Sequence, residues 1–165
     1  MSEQSVKQQF GTALEGFRDG PCKPGAFALN ANKGIRKLKR LNMKNGNLSE
    51  RSPREVFEEH LRLAQEGEIE EDLKRNNAED IVLLTNYGTF HGHEGIREAA
   101  RLLDEQLPSG TYDYKLKLSS GKICFLHWTG DSEESYISDG ADSYLIEEGK
   151  IKVQTIFYTV HKKKK

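Results

Sequence analysis

The spacing of apolar residues changes twice along this 165-residue chain. Up to residue 52 there is little regular spacing, except that Ile35, Leu38 and Leu41 recur every three residues and allow one short basic helix. From residue 53 to residue 106 most apolar residues recur every three or four positions, as in amphipathic helices. After Gly110 they alternate with polar residues, as in half-buried strands. The pattern therefore predicts helices first and strands afterwards.

The helical part has clear start and stop signals. Ser52 is a good N-cap, Pro53 fits the first helical position, and Glu55 stands where a capping box needs it. The first helix is therefore predicted to begin at Pro53 and to end at Gly67. The next elements are predicted to be a helix, a strand, a short strand and a helix, at about residues 68–76, 81–84, 87–92 and 94–106.

Four long strands are predicted to follow, separated by turn signals. In the first of them Tyr112, Tyr114, Leu116 and Leu118 stand at alternate positions, which predicts one shared inner face. The other strands are predicted at about residues 122–129, 136–146 and 150–161. Helices followed by a run of consecutive strands predict an α+β fold rather than a doubly wound sheet.

Charge divides the chain at the place where the pattern changes. Residues 1–52 carry ten Lys and Arg against four Asp and Glu, whereas residues 53–165 carry fifteen against twenty-two. We therefore predict a basic, weakly ordered extension over residues 1–52, a domain over residues 53–161, and a lysine tail over residues 162–165. The extension has three alternative partners, namely the acidic domain itself, another protein, or nucleic acid.

Nucleic-acid binding is the less favoured of these alternatives. The basic cluster Lys33, Arg36, Lys37, Lys39 and Arg40 has no interleaved aromatic residues on which bases could stack. A solvated basic arm is therefore the preferred interpretation. A further hypothesis is that the extension covers the mouth of a pocket in the domain and regulates access to it.

Three segments resemble the nuclear transport factor 2-like superfamily, which includes the SnoaL-like polyketide cyclases and the ketosteroid isomerases. They are residues 77–82 (NAEDIV), 92–98 (GHEGIRE) and 140–151 (GADSYLIEEGKI). The resemblance covers about two thirds of the chain and leaves residues 1–52 outside. It implies a cone in which a curved, mixed but mostly antiparallel sheet wraps around helices and encloses a pocket. It also implies a homodimer, since many members pair through the outer face of the sheet.

The resemblance identifies Asp142 and His60 as candidate catalytic residues. Asp142 falls where ketosteroid isomerases place a carboxylic acid of the oxyanion hole, and His60 falls at their oxyanion-hole tyrosine on the first helix. Near Tyr136, Tyr144 and Trp128, the Asp142 carboxyl would be desolvated and its pKa raised, so that it could donate a proton. A histidine at a pocket mouth can act as acid or base near neutral pH. The alternatives are a structural strand aspartate and a partly buried helix histidine.

The third catalytic position departs from the isomerase pattern. The isomerases place a carboxylate base on the first strand, and the matching residue here is Thr85. A threonine hydroxyl is too weakly basic to remove a carbon-bound proton unaided. Ketosteroid isomerase activity is therefore not expected, while another reaction that uses Asp142 with His60 remains open.

Aromatic residues are the candidate ligand-binding residues. Those proposed to line the pocket are Phe57, Tyr87, Phe90, Trp128, Tyr144 and Tyr158, with Phe157 as a further source of aromatic surface. Such a lining suits a flat apolar ligand, and ordinary core packing is the alternative for at least half of them.

Other chemistries find little support. His91 and His93 form only a weak metal pair, and no further ligands clearly complete a set, so no metal is expected. Cys124 alternates with Trp128 and so faces away from His127, which disfavours a Cys–His nucleophile. No phosphate loop or dinucleotide fingerprint is present, so no cofactor is expected. No apolar run approaches a membrane span and no signal peptide is evident, which predicts a cytoplasmic protein with no membrane contact.

These observations predict a small-molecule pocket protein of the SnoaL-like type. It would bind a small apolar ligand, and whether it also acts on it as a cofactor-independent isomerase, cyclase or hydrolase is left open. The alternative is a non-catalytic protein-interaction module, either a homodimer or one half of a complex. A deep cavity that reaches Asp142 and His60 would favour the first reading, and a cone filled by Trp128 and its neighbours would favour the second.

Overall fold

The computed structural model describes residues 47–164, and the possible basic helix around Ile35–Leu41 lies outside them. Helices α1, α2 and α3 span Pro53–Glu66, Ile69–Asn76 and Gly92–Gln106. Strands β1 to β7 span Asn77–Thr85, Gly88–His91, Thr111–Ser120, Ile123–Asp131, Ser135–Glu147, Lys150–Phe157 and Val160–Lys162. The helices therefore come mainly before the long strands, as predicted.

Helix α1 begins and ends at the residues that its sequence indicates. The Ser52 hydroxyl accepts a hydrogen bond from the Glu55 amide at 3.3 Å, and the Glu55 carboxylate accepts one from the Ser52 amide at 2.9 Å. This reciprocal capping box satisfies two amides that the first turn leaves unpaired. Gly67 ends the helix with φ of 74°, a left-handed conformation that glycine adopts without steric strain.

The strands form one mixed sheet in the order β2-β1-β6-β5-β4-β3, with β7 paired to β5. β1 and β6 are parallel, and the other neighbours are antiparallel. The sheet is curved and wraps α1, which confirms the predicted α+β class. We call the side facing α1 the concave face and the opposite side the convex face. The core lies between α1 and the concave face, where Phe57, Leu61, Leu126 and Tyr144 are buried.

Strand β3 does not keep one inner face along its whole length. Tyr114 pairs with Trp128, but Leu116 pairs with His127, so an extra residue interrupts the register at Lys115. A bulge of this kind moves every later side chain to the other face. Tyr112 and Tyr114 are therefore half-buried on the concave face, whereas Leu116 and Leu118 are exposed on the convex face. The prediction of one shared face was therefore wrong for Leu116 and Leu118.

The C-terminal strand is divided in two. Instead of one strand over residues 150–161, β6 ends at Phe157 and β7 pairs with the beginning of β5. Asp139 accepts a hydrogen bond from the Thr159 amide at 2.9 Å, which fixes the bend between the two strands. Lys162 lies in β7 and the Lys163 amide donates to Glu134 O at 2.8 Å, so the predicted tail over residues 162–165 begins inside the sheet.

The folded region begins before Pro53, because Arg51 is anchored in it. The Arg51 side chain is 9% exposed and forms an ion pair with the buried Glu59. The same guanidinium donates to Asn76 Oδ1 at 2.8 Å, to Arg75 O at 2.6 Å and to Gly149 O at 2.7 Å. Arg51 lies outside the range 53–161 that the sequence analysis gives to the domain, yet it joins α1, the end of α2 and the β5–β6 hairpin.

Arg51→Met should destabilise the domain by roughly 2–4 kcal/mol, because two backbone carbonyls and the buried Glu59 carboxylate lose a charged donor. Chemical denaturation would measure the change. Arg54→Met is the matched control, since Arg54 pairs with Glu58 on the exposed face of α1. Equal stability of the two variants would show that Arg51 does not anchor the fold.

Candidate functional site

A cavity of about 690 Å³ lies between the concave face and the helices. Helix α3 borders it loosely, since Gly95 is the only buried residue of that helix. Most of the lining is aliphatic or aromatic, including Leu83, Tyr87, Phe90, Ile96, Leu103, Trp128, Ile156 and Tyr158. The remaining lining includes six polar residues, which we call the polar wall: His60, Asp72, Tyr114, Asp142, Tyr144 and Gln154.

Asp142 is the central group of the polar wall. Its side chain points from β5 to the concave face and the residue is 6% exposed. The Trp128 indole donates to Oδ1 at 2.8 Å, while the Tyr144 hydroxyl and the Gln154 amide donate to Oδ2 at 2.8 and 3.3 Å. Burial raises the pKa of Asp142 above the usual carboxyl value, although these three hydrogen bonds and nearby His60 oppose the rise. A carboxyl with a raised pKa can exchange a proton with a ligand nearer to neutral pH.

His60 is held on α1 by a carboxylate from α2. Its Nδ1 lies 2.9 Å from Asp72 Oδ2, and Asp72 also accepts from the Asn76 and Asn77 side-chain amides at 2.8 and 3.1 Å. Burial alone would lower the pKa of His60, but the Asp72 carboxylate outweighs burial and raises that pKa overall. Burial likewise opposes ionisation of Asp72, whose pKa is nevertheless lowered by His60 and the two amides. Each partner therefore favours the charged form of the other.

A row of aromatic rings runs through the rest of the cavity. The ring centroids of Trp128 and Tyr158 lie 5.7 Å apart, and those of Tyr158 and Tyr87 lie 5.2 Å apart. Tyr112 packs edge-on against the other side of Trp128 at 5.7 Å. Tyr87 is 46% exposed, so this row connects the indole that binds Asp142 to solvent. Rings in this arrangement offer flat apolar surface to a ligand.

The structure brings most of the predicted site residues to one cavity. Asp142, His60, Tyr87, Phe90, Trp128, Tyr144 and Tyr158 all line it. Phe57 does not line it, because it is buried beneath Tyr144 with ring centroids 5.2 Å apart. Phe157 does not line it either, since it is exposed on the convex face.

Two further expectations about the site need correction or completion. Tyr136 is not a neighbour of Asp142 but stacks on His161 at the far end of β5, with centroids 4.9 Å apart. Thr85 lines the cavity, and its hydroxyl is engaged in the β1–β2 turn, where it donates to Gly88 O at 3.1 Å and accepts from the Tyr87 amide at 2.9 Å. It is therefore a turn residue with no free basic group.

Three members of the polar wall were missed by the sequence analysis. Asp72 stands in an acidic run at the start of α2, where its neighbours Glu70 and Glu71 face solvent and conceal its role. Gln154 stands in a strand between Val153 and Thr155, at an inward position that only the register reveals. Tyr114 was predicted to lie on an inner face, but nothing in its own strand shows that it lies close enough to Asp142 to feel its charge.

A second cavity of about 610 Å³ in the described chain is lined mainly by polar and charged residues, which include Glu70, His93, Arg97, Lys150 and Lys152. Within residues 47–164 no group of three or more His, Cys, Asp or Glu side chains is arranged to hold a metal ion. No helix in the same range is long and apolar enough to cross a membrane. Cys124 is buried, and burial raises the pKa of its thiol, which makes it a poor nucleophile.

Comparisons with known proteins identify the fold. No family model matches the chain, and no curated protein matches it. Among solved structures, an NTF2-like protein of unknown function from Cytophaga hutchinsonii superposes with a TM-score of 0.53 and is 18% identical, covering 66% of this chain and 90% of its own. TerC, co-crystallised with polyporic acid, gives a TM-score of 0.57 at 16% identity and covers 65% of this chain and 91% of its own.

A proposed ketosteroid isomerase from Kribbella flavida gives a TM-score of 0.56 at 12% identity, covering 68% of this chain and 82% of its own. The chain therefore has the nuclear transport factor 2-like fold, which confirms the resemblance stated for residues 77–82, 92–98 and 140–151. At these identities the likeness shows the fold alone, because one fold supports many functions.

The Asp72→Asn variant should lower the pKa of His60, because it removes the carboxylate that opposes burial. NMR titration of the His60 ring would measure the pKa. A raised histidine pKa adds stability below the unfolded-state value, and this stability is lost as pH rises through the folded-state pKa. The wild type should lose this stability as the pH rises from the unfolded-state pKa of His60 through its folded-state pKa. Asp72→Asn should not show this loss. Asp113→Asn on β3 serves as the control, and an unchanged His60 pKa in Asp72→Asn would contradict the pairing.

Proposed function

We propose that this protein binds a small, largely apolar molecule in its cone and acts on it by acid–base chemistry without a bound cofactor. Asp142 and His60 would be the acid–base groups of an isomerase, cyclase or hydrolase. The observation that carries the proposal is that both side chains line the same cavity, each with a shifted pKa and each held by its own partners. Titratable groups with opposed environments in one cleft are typical of catalytic sites.

The two groups suit different halves of a proton transfer. His60 has Nδ1 fixed by Asp72, so its ring is oriented and Nε2 is the nitrogen available to a ligand. Asp142 has a buried carboxyl whose charged form is disfavoured by burial, and three donors fix its position. A ligand between them could give a proton to one group and receive one from the other.

The rest of the cavity supports a flat apolar ligand. A volume of about 690 Å³ lies in the range of small-molecule sites. Trp128, Tyr158 and Tyr87 present their rings along it, and the aliphatic side of α3 borders it. Polyporic acid, with which TerC was co-crystallised, and the proposed ketosteroid isomerase from Kribbella flavida are consistent with such use of the fold.

Ligand binding predicts a thermal shift that depends on the polar wall. A flat apolar ligand at about 100 times its Kd should stabilise the wild type by roughly 2.7 kcal/mol. The same ligand should stabilise Asp142→Ala much less, and Asp142→Asn should lose turnover by roughly 100-fold or more while it keeps the fold. Asp113→Ala is the control, since Asp113 is an exposed carboxylate on β3. Full turnover by Asp142→Asn would remove Asp142 from the reaction.

A second candidate function is protein interaction through the convex face, with a second copy of the chain as the partner. In the middle of this face the registers place fourteen side chains of five strands: Val82, Leu84, Leu116, Leu118, Ser120, Ile123, Phe125, His127, Ala141, Ser143, Leu145, Val153, Thr155 and Phe157. None of these fourteen is Asp, Glu, Lys or Arg, and the outward charged residues Asp113, Asp131 and Glu147 lie towards the ends of their strands.

Exposure on this face is concentrated in large apolar side chains. Leu84, Leu116, Leu118, Ile123 and Phe157 are each 43–54% exposed. Contiguous apolar surface of this kind marks interaction sites, and depletion of charge is typical of interface cores. A homodimer formed in this way is compatible with ligand binding, because the cavity opens on the other side of the sheet.

Leu118→Asp should convert the dimer to a monomer, because it places a charge among the exposed apolar side chains of β3 and β4 on the convex face. Sedimentation velocity or light scattering would measure the mass. Tyr87→Asp is the matched control, since Tyr87 is similarly exposed but lies at the cavity. A wild type that stays monomeric at high concentration would contradict self-association and leave only a different protein as partner.

A further inference from the structure

The second cavity, of about 610 Å³, lies where the regular pairing of β1 with β6 is interrupted. Between the pairs Asn77–Ile151 and Val82–Val153, β1 has four residues and β6 has one. The lining of the cavity includes three of the extra residues of β1 and the single residue of β6. Bulges of this kind occur often beside functional sites, where they change the direction of side chains.

The lining of this cavity is polar, in contrast to the lining of the cone. Apart from two apolar residues, every lining residue of the described chain is polar or charged. The basic residues other than Lys74 are half-buried: His93, Arg97, Lys150 and Lys152. The carboxylates are exposed and form what we call the rim: Glu70, Glu71, Glu79 and Asp80. The interior is therefore basic and the rim is acidic.

Asn77 adds a buried acceptor that has no partner. The residue is 1% exposed, and its side-chain amide donates to Asp72 O at 3.2 Å and to Asp72 Oδ2 at 3.1 Å. Among residues 47–164, Asn77 Oδ1 is the one buried side-chain nitrogen or oxygen without a hydrogen-bond partner. Buried polar atoms nearly always have partners, and Asn77 belongs to the lining of this cavity, so the unpaired oxygen indicates a donor on a ligand.

Lys150 adds a cation that has no direct ion pair. Its ammonium donates to Lys74 O at 2.6 Å, and no carboxylate of residues 47–164 pairs with it. Burial and the charge of Arg51 lower the pKa of Lys150, although the more distant charge of Glu79 opposes this effect. A bound anion would stabilise the charged ammonium.

We infer that the second cavity binds a sugar acid, that is, a polyhydroxylated carboxylate. The carboxylate of the ligand accepts hydrogen bonds from Lys150, one hydroxyl donates to Asn77 Oδ1, and other hydroxyls donate to the carboxylates of the rim. A fatty acid leaves those acceptors unpaired, and a neutral sugar gives Lys150 no anion. A phosphate ester fits less well, because the rim repels its higher negative charge more strongly.

Three probes of the same chain length separate the groups of the ligand. D-Gluconate has a carboxylate on a hydroxylated chain, D-glucitol has a hydroxymethyl group in place of the carboxylate, and hexanoate has the carboxylate without the hydroxyls. We expect gluconate to bind roughly 10-fold more tightly than either analogue, because each analogue leaves the ammonium or the buried acceptor unpaired. NMR titration at constant ionic strength would give the three dissociation constants.

The signals that shift and one variant assign the site. Gluconate should shift the side-chain amide signals of Asn77 and leave unchanged the indole signal of Trp128, which lines the cone alone. Lys150→Met should weaken gluconate binding by roughly 10-fold or more and leave glucitol binding unchanged, because it removes a charged donor. Lys122→Met is the matched control, since Lys122 pairs with Glu147 at the β3–β4 turn and lies outside the lining.

Each outcome bears on this inference and leaves the proposed binding in the cone to its own test. Equal affinities for gluconate and hexanoate would overturn recognition of the hydroxyls, and equal affinities for gluconate and glucitol would overturn recognition of the carboxylate. If gluconate binds without shifting the Asn77 signals, or binds Lys150→Met as tightly as the wild type, this cavity is not the site. Absence of gluconate binding at millimolar concentration would overturn the inference as a whole.

Discussion

The buried carboxyl group of Asp142 on the concave face links the packing of the central strands to the shape of the cavity. Asp142 lies on β5, and its three donors come from β4, from β5 itself and from β6. An isolated carboxylate in such a place would be strongly disfavoured, so the three hydrogen bonds are needed to keep it inside the fold. They in turn fix the rings of Trp128 and Tyr144, which shape the cavity. The site and the packing of the central strands therefore depend on the same contacts.

The second polar pair extends this arrangement across the cavity. His60 and Asp72 come from α1 and α2, and they face the Asp142 carboxyl from the helical side. Tyr144 is the physical link, because its ring packs edge-on against His60 at 5.3 Å while its hydroxyl binds Asp142. Burial raises the pKa of Asp142 and the Asp72 charge raises that of His60, so neither group titrates at its ordinary pH. Such coupling supports the proposed acid–base role, since buried charges seldom stabilise a fold by themselves.

Local signals in the sequence were sufficient for the helices and, through the order of the elements, for the fold class. Ser52, Glu55 and Gly67 predicted the ends of α1, because capping depends on residues within one turn. The site was predicted less completely, since its members meet across the sheet and between helices. Asp72 could not be recognised without the contact to α1. The bulge at Lys115 also had no local signal, because alternation of apolar residues continues across it.

Apolar and polar residues alternate less strictly along the central strands than in a sheet with one solvent-exposed face. The reason is that apolar side chains lie on both faces of these strands. On β4 the inward residues Cys124, Leu126 and Trp128 are buried, and the outward residues Ile123 and Phe125 are apolar as well. An antiparallel sheet with one solvated face normally places polar residues outward. Here the middle positions of the outward rows carry no Asp, Glu, Lys or Arg, and the outward charges of Asp113, Asp131 and Glu147 lie towards the strand ends. This distribution supports the proposed contact of the convex face with a second copy of the chain.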